Sequence, residues 1–311
     1  MTWKIPFLHN IYPSITTYVD DKELLLKLKN VGGDILHVHN DPDSLIVHAG
    51  EVKGNRKLVF DVHDSNFVRH NHKTRQEKMA FAAADGYIFP SEGYKDILVE
   101  TFSKYVKDKP YAVVWPLCNE DMLAINPLPR VRGIVYQGNI HAPVADVQLR
   151  LPYRIYTEFT AELTQKGIPF HIYPGSMYPE MKHYHNLGAL LYEPAEYLQL
   201  LRQLTRYDWG LCGAQVKHRQ WNLAWPNKLA EYLIAGIPVL VYNAETCAKF
   251  VTEEEVGIVV NSVDEIAERY EEHRERREIV KRRKYRYVME RHPMGIENTI
   301  KVYKQVLGES V

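Results

Sequence analysis

Short apolar runs and helix-periodic segments alternate along all 311 residues, and no other feature narrows the possible folds as much. Such alternation calls for an α/β protein with mainly parallel strands, because a parallel pair needs a crossover helix between its members. In the first part, 34–39 and 57–62 read as strands and 73–84 as a helix. Residues 86–89 read as a strand ending in a Pro90-Ser91 turn, 92–106 as a helix and 111–115 as a strand. Asn126-Pro127-Leu128-Pro129 breaks either periodicity and reads as a linker. A second run follows: strand 133–137, helix 153–166, strand 169–173, a short strand 190–192, helix 195–206, strand 209–212, helix 226–235, strand 238–242 and strand 257–260. A chain of this length favours two cores over one.

Composition excludes several classes. The 39 basic and 39 acidic residues balance, so no global field demands nucleic acid or an anionic membrane. No apolar run reaches membrane-spanning length and the N-terminus shows no signal-peptide pattern, so the expectation is a cytoplasmic protein, peripheral to a membrane at most. Cys118, Cys212 and Cys247 fit neither zinc nor redox spacing and read as buried free thiols. Of the 21 tyrosines several crowd into 173–207, either as core or as stacking surfaces. His37/His39, His70/His72 and His183/His185 share an alternating spacing, but no cysteine joins them and two ligands do not hold a metal, so none is expected. Asp41-Pro42-Asp43 reads as a turn. An acidic stretch, 253–272, precedes a basic one, 274–291, which reads as a solvated helix face or as a phosphate-contacting surface.

The segment from Pro226 to Tyr242 carries the most chemistry. A proline opens the helix, Gly236 closes it, and an apolar strand follows. Lys228 and Glu231 lie three apart on one face near the helix N-terminus. A cation, a carboxylate and free N–H groups there suit a ligand with both phosphate and diol.

This segment resembles the donor-binding helix of nucleotide-sugar glycosyltransferases of the B fold (GT-B), especially the retaining family numbered four. The order Gly138, Asp208-Trp209-Gly210-Leu211, Pro226-Asn227-Lys228 and Glu231 runs as in that family, as do Asp61-Val62-His63-Asp64 and Ser91-Glu92 in the first half. The resemblance covers about 132–262 well and 34–115 moderately. It implies two Rossmann-like domains facing across a cleft: an abbreviated acceptor-side domain over 1–128, a nucleotide-sugar domain over 129–290, and a helix in 291–311 packing back on the first domain. It implies transfer of a sugar from a nucleotide-diphosphate donor, UDP or GDP type, to an acceptor hydroxyl, retaining and without a metal or other cofactor. His63, Lys228 and Glu231 would be the catalytic group, with Gly138, Asn139, Arg154, Tyr192, Glu193, Asn227, Lys228 and Glu231 around the donor. Two positions depart from the family. Leu223 stands where a second glutamate usually contacts the sugar, and Gly138 is followed by Asn139-Ile140-His141 in place of the usual Arg and Lys-Gly, leaving Arg150 or Arg154 to supply charge. Only a strand at 4–8 and a helix at 22–29 precede residue 34, so the acceptor side is expected to be open, suited to a large acceptor (glycan, protein, lipid-linked or nucleic acid) or completed by a second copy. The alternatives are a non-catalytic module of the same fold that binds nucleotide or glycan, and a transferase acting on nucleic acid.

Overall fold

The structure, a computed structural model, describes residues 19–40, 42–116, 125–286 and 290–310. The strand expected at 4–8, Asp41 and Cys118 lie outside the described residues. The rest forms two all-parallel sheets. The first has four strands in chain order: β1 (Ile35–His39), β2 (Lys57–Asp61), β3 (Gly86–Phe89) and β4 (Tyr111–Val113). The second has six in the order β10-β9-β8-β5-β6-β7, with β5 at Ile134–Gln137, β6 at Phe170–Tyr173, β7 at Leu190–Leu191, β8 at Trp209–Gly213, β9 at Val239–Tyr242 and β10 at Gly257–Val260. Each central strand is apolar on both faces because helices cover both, and the run at β8, buried throughout, shows the result. The terminal helix, His292–Leu307, lays Val302 and Val306 across Val59 and Ile88 of the first sheet.

Several segments differ from the sequence reading. The helix expected over 153–166 forms only at Thr157–Gln165; a short helix at Ala145–Arg150 and a 3-10 turn at Pro152–Arg154 precede it, because Pro152 cannot donate within a helix interior. The loop 212–225 contains a five-residue helix, Arg219–Leu223, capped by the His218 ring. His183 and His185 lie on a helix, Lys182–Asn186, where residues two apart do not share a face, so that alternating pair does not converge. The tyrosine-rich stretch is mostly core: Tyr173, Tyr184 and Tyr207 are buried and the Tyr173 and Tyr207 hydroxyls meet at 2.8 Å. Cys212 and Cys247 are buried free thiols lying side by side, and burial pushes Cys212 up.

The basic run folds largely into internal pairing. Arg283 and Arg291 both reach Glu254, Arg276 pairs with Glu272, Lys281 with Glu278, and the buried Arg277 donates to the carbonyls of Thr205 and Tyr207. Arg276, Arg283 and Arg291 thus meet the acidic stretch before the run. Asp208 also proves structural. It sits at the amino end of β8 and accepts from Gly133 N at 3.1 Å, Tyr270 Oη at 2.7 Å and Arg130 Nη2 at 2.6 Å. Burial would raise its carboxyl, but these donors and the nearby His273 outweigh burial and lower it.

The two halves meet along a seam that Leu223 helps to build. Ser91 caps the Glu92–Thr101 helix through Tyr94 N and donates to the Leu223 carbonyl at 2.5 Å, while Tyr94 Oη donates to Gln220 Oε1 at 2.6 Å. Trp115, just beyond β4, stacks on Trp225 at 4.1 Å. Gly93 lets the helices close: a Cβ there would lie 3.1–3.2 Å from Leu223 atoms, two of them backbone. Gly93→Val is therefore expected to overpack the seam and cost about 1–3 kcal/mol, seen as a lower urea midpoint with the m-value retained.

Candidate active site

In the second sheet, β5 pairs with both β6 and β8, so the strand order reverses there. Crossovers leave such a point in opposite directions and open a crevice at the carboxyl ends of the strands. Gly138 ends β5 at φ 122°, a backbone that disfavours side chains. A Cβ at Gly138 would have Lys228 Nζ as its nearest neighbour, at 3.6 Å.

Lys228 belongs to the helix Asn227–Ala235, which Pro226 opens and Gly236 closes at φ 75°. No side chain caps its N-terminus, and while Leu229 N donates to the Pro226 carbonyl, the Asn227 and Lys228 N–H groups remain for a ligand. The Lys228 ammonium is held 4.8 Å from the centroids of both Tyr136 and Trp221. Among the described residues no carboxylate lies within ion-pair distance of it.

One turn along, Glu231 is 7% exposed. Its Oε2 accepts from the Gln137 side-chain amide, and the Tyr197 hydroxyl also bonds the carboxylate. Burial pushes the carboxyl up to about 7, against the lowering effects of the Lys228 charge, Tyr197 and Gln137. Two donors leave acceptor capacity on a carboxylate, which offers about four lone-pair sites.

The other expected donor residues are spread around this corner. Asn227 is exposed at the helix start, and Asn139 is exposed with its Oδ1 against Gly175. Tyr192 stacks on Tyr173 at 4.5 Å with rings 7° apart and bonds His171 Nδ1 at 3.0 Å, so it is a half-buried ring at the sheet edge; Glu193 beside it is exposed. Arg154 lies over Tyr153 at 5.8 Å, and its carbonyl accepts from His141 N.

In the first half, Asn40 Oδ1 accepts from the His63 and Asp64 N–H groups, fixing the turn after β2. The His63 ring is about one-third exposed, stacks on His39 at 5.0 Å, and has Nε2 3.4 Å from Asp61 Oδ1. His37 Nε2 and His39 Nδ1 approach Asp61 Oδ2 at 3.1 and 3.3 Å. His37, His39 and Asp61 thus bring three possible metal-ligand atoms within 4.8 Å of one another. The carboxylate is already an acceptor in that group. Burial would raise it, yet the His37 hydrogen bond and the His63, His39 and His37 charges hold it below its ordinary range. No hydrogen bond or ion pair among the described residues joins His63 to Lys228 or Glu231.

Sequence reasoning named Arg150 as a possible source of charge but missed the other cations gathered with it between the halves. A cavity of about 1070 Å³ is lined by the Asn66–His70 helix and the turn after it on one side, and by Arg150, Pro152 and residues 217–219 on the other. Arg69, Arg150, Lys217 and Arg219 line it with His70, His72 and His218. Burial first, then the charges of Arg69, Arg150 and Arg154, lowers His70; burial, His70 and Arg219 lower His218. Arg150, named from the sequence as a stand-in cation, and the alternating His70/His72 spacing were the sequence traces of this cavity.

Residues 155–284 match the sequence profile of the glucosyltransferase 3-like C-terminal domain. A comparison with curated proteins finds no match. Among solved structures, TarM of S. aureus with UDP, fondaparinux and α-GlcNAc-glycerol aligns over 91% of this chain and 58% of its own, with TM-score 0.65 and 12% identity. Anabaena HepE in complex with UDP aligns over 93% and 82%, with TM-score 0.60 and 10% identity. A chain of the GtfA/B complex aligns over 94% and 62%, with TM-score 0.54 and 15% identity, so this chain spans under two thirds of its length. The fold is that of GT-B glycosyltransferases, two Rossmann-like domains facing across a cleft.

The Glu231 environment makes a pH prediction. A carboxyl raised from 4.5 to about 7 binds more proton folded than unfolded between those values, so it costs nothing below pH 4.5 and its full penalty is present above pH 7. Glu231→Gln should therefore gain stability relative to the parent chain as pH rises from 5 to 8, with the difference in urea midpoint vanishing below pH 4.5.

Proposed function

We propose that this protein is a glycosyltransferase that moves a sugar from a nucleotide-diphosphate donor, of the UDP type, to a hydroxyl of a large acceptor. One observation carries the reading: an uncapped helix N-terminus, Lys228 above Gly138, and Glu231 one turn on converge at the strand-order reversal of the second sheet. The donor would lie along that line. The first-turn N–H groups and Lys228 face the diphosphate, whose charge grows as the anomeric bond breaks. Glu231 accepts from the ribose hydroxyls with the lone pairs that Gln137 and Tyr197 leave open. Asn139, Arg154 and Asn227 border the phosphates, and Tyr192 and Glu193 border the base.

In the transfer, the acceptor oxygen bonds to the anomeric carbon, the bond from that carbon to the diphosphate oxygen breaks, and the acceptor proton passes to the leaving phosphate. His63, at the carboxyl end of the first sheet, lines the sugar side of the cleft. Retention of configuration rests on the motif order shared with the retaining family. A metal is not needed in this reading, because Lys228 and the helix N–H groups supply the positive charge. The UDP held by HepE and TarM supports a uridine donor, and the profile over 155–284 supports a hexosyl group.

A donor panel with product mass spectrometry tests the activity. Lys228→Ala and Glu231→Ala are each expected to lower kcat/KM about a hundredfold, in the range lost with one transition-state donor. Unchanged kcat/KM in both would remove the assignment. His63→Ala is expected to lower kcat while leaving UDP affinity in place, as measured by calorimetry. UDP binding near pH 6.5 should release protons from Glu231, read as a dependence of the apparent enthalpy on buffer ionisation heat.

A further inference from the structure

The cavity between the halves holds more positive charge than the donor corner requires. Arg69, Arg150, Lys217 and Arg219 bring cationic side chains to it, and none of its lining residues is an aspartate or glutamate. Arg69 shares its charge with Asp64 outside the lining. Arg219 is held rigidly by neutral groups: its Nη1 donates to Asn71 Oδ1 at 2.7 Å, and its guanidinium lies over the Phe67 ring at 4.2 Å. Among the described residues Lys217 has no carboxylate partner. Lys228 does not line this space, so the cavity carries a second set of cations, distinct from the one beside Gly138.

Among the described residues neither Arg219 nor Lys217 meets a carboxylate, and both face the space that Arg69 and Arg150 also line, an arrangement that favours an anionic ligand. A planar guanidinium already fixed by neutral acceptors is preorganised for phosphate oxygens. A neutral sugar acceptor has no use for such a field. Both halves contribute cations, so a ligand here would draw the domains together. Resting on the transferase reading above, we propose that this cavity is the acceptor subsite and that the acceptor carries a phosphate or phosphodiester group beside the hydroxyl to be glycosylated.

Calorimetric titration of the full chain, saturated with UDP, with glycerol 3-phosphate and with glycerol tests this. One glycerol 3-phosphate should bind per chain, more weakly as salt rises, while glycerol does not bind. Lys217→Glu combined with Arg150→Glu, both exposed positions, should weaken that binding at least about tenfold, the scale of one lost charged hydrogen bond. No binding to the UDP-loaded chain, or undiminished binding in the variant, would overturn the proposal. Competition between glycerol 3-phosphate and UDP would overturn it too, by making the cavity the donor's own phosphate site. If UDP itself fails to bind, the donor reading falls separately, and titration of the UDP-free chain and variant still decides whether the cavity takes phosphate. In transfer assays phosphorylated glycerol should outperform glycerol at least about tenfold in kcat/KM; preference for a DNA oligonucleotide would overturn a small phosphate-bearing acceptor.

Discussion

The reversal of strand order between β5 and β8 is the constraint on which the rest depends. Parallel strands force crossover helices, and where two crossovers diverge no helix can cover the carboxyl edge. That uncovered edge is where Gly138 ends a strand, where the Asn227–Ala235 helix points its N-terminus, and where Lys228 comes to rest between two aromatic rings. The buried face of the same helix fixes its rotation: Leu229, Tyr232 and Leu233 pack into the core, leaving Lys228 and the Glu231 carboxylate toward Gln137 and Gly138. Packing and chemistry are therefore set by the same seven or eight residues.

Electrostatics divides the molecule into regions of balanced and of one-signed charge. Around Asp208 and along the C-terminal basic helix, charges are neutralised by close partners and serve the fold. Around Asp61 three histidines converge on one buried carboxylate, which stiffens the carboxyl end of the first sheet and orients His63. In the cleft the lining carries cations from both halves and no carboxylate, with Asp64 reaching Arg69 from outside it. Clustered charge of one sign destabilises the isolated protein, and its presence along a cleft suits a binding surface more than a structural one.

Leu223 shows how one position changes duty. Where the resembling family has a carboxylate turned to a sugar, this chain has an apolar side chain wedged against Gly93, with its carbonyl held by Ser91. The residue couples the halves. The neighbouring Trp225, stacked on Trp115, extends the same seam.

The sequence by itself determined the α/β class, most strands to within a residue or two, and the Pro226-to-Tyr242 unit with Lys228 and Glu231 on one turn, because periodicity, proline, glycine and helical spacing are local properties. Short helices such as Asn66–His70 and Arg219–Leu223 were not legible, since five residues carry too little periodicity to register. Only the tertiary structure decided that β5 lies beside β8, that Glu231 is buried against Gln137, that Asp208 is a structural hub, and that Arg69, Arg150, Lys217 and Arg219 face one cavity. Those facts join residues up to about 150 positions apart, and the free energy that selects them comes from burying whole helix and sheet faces, which no single segment encodes.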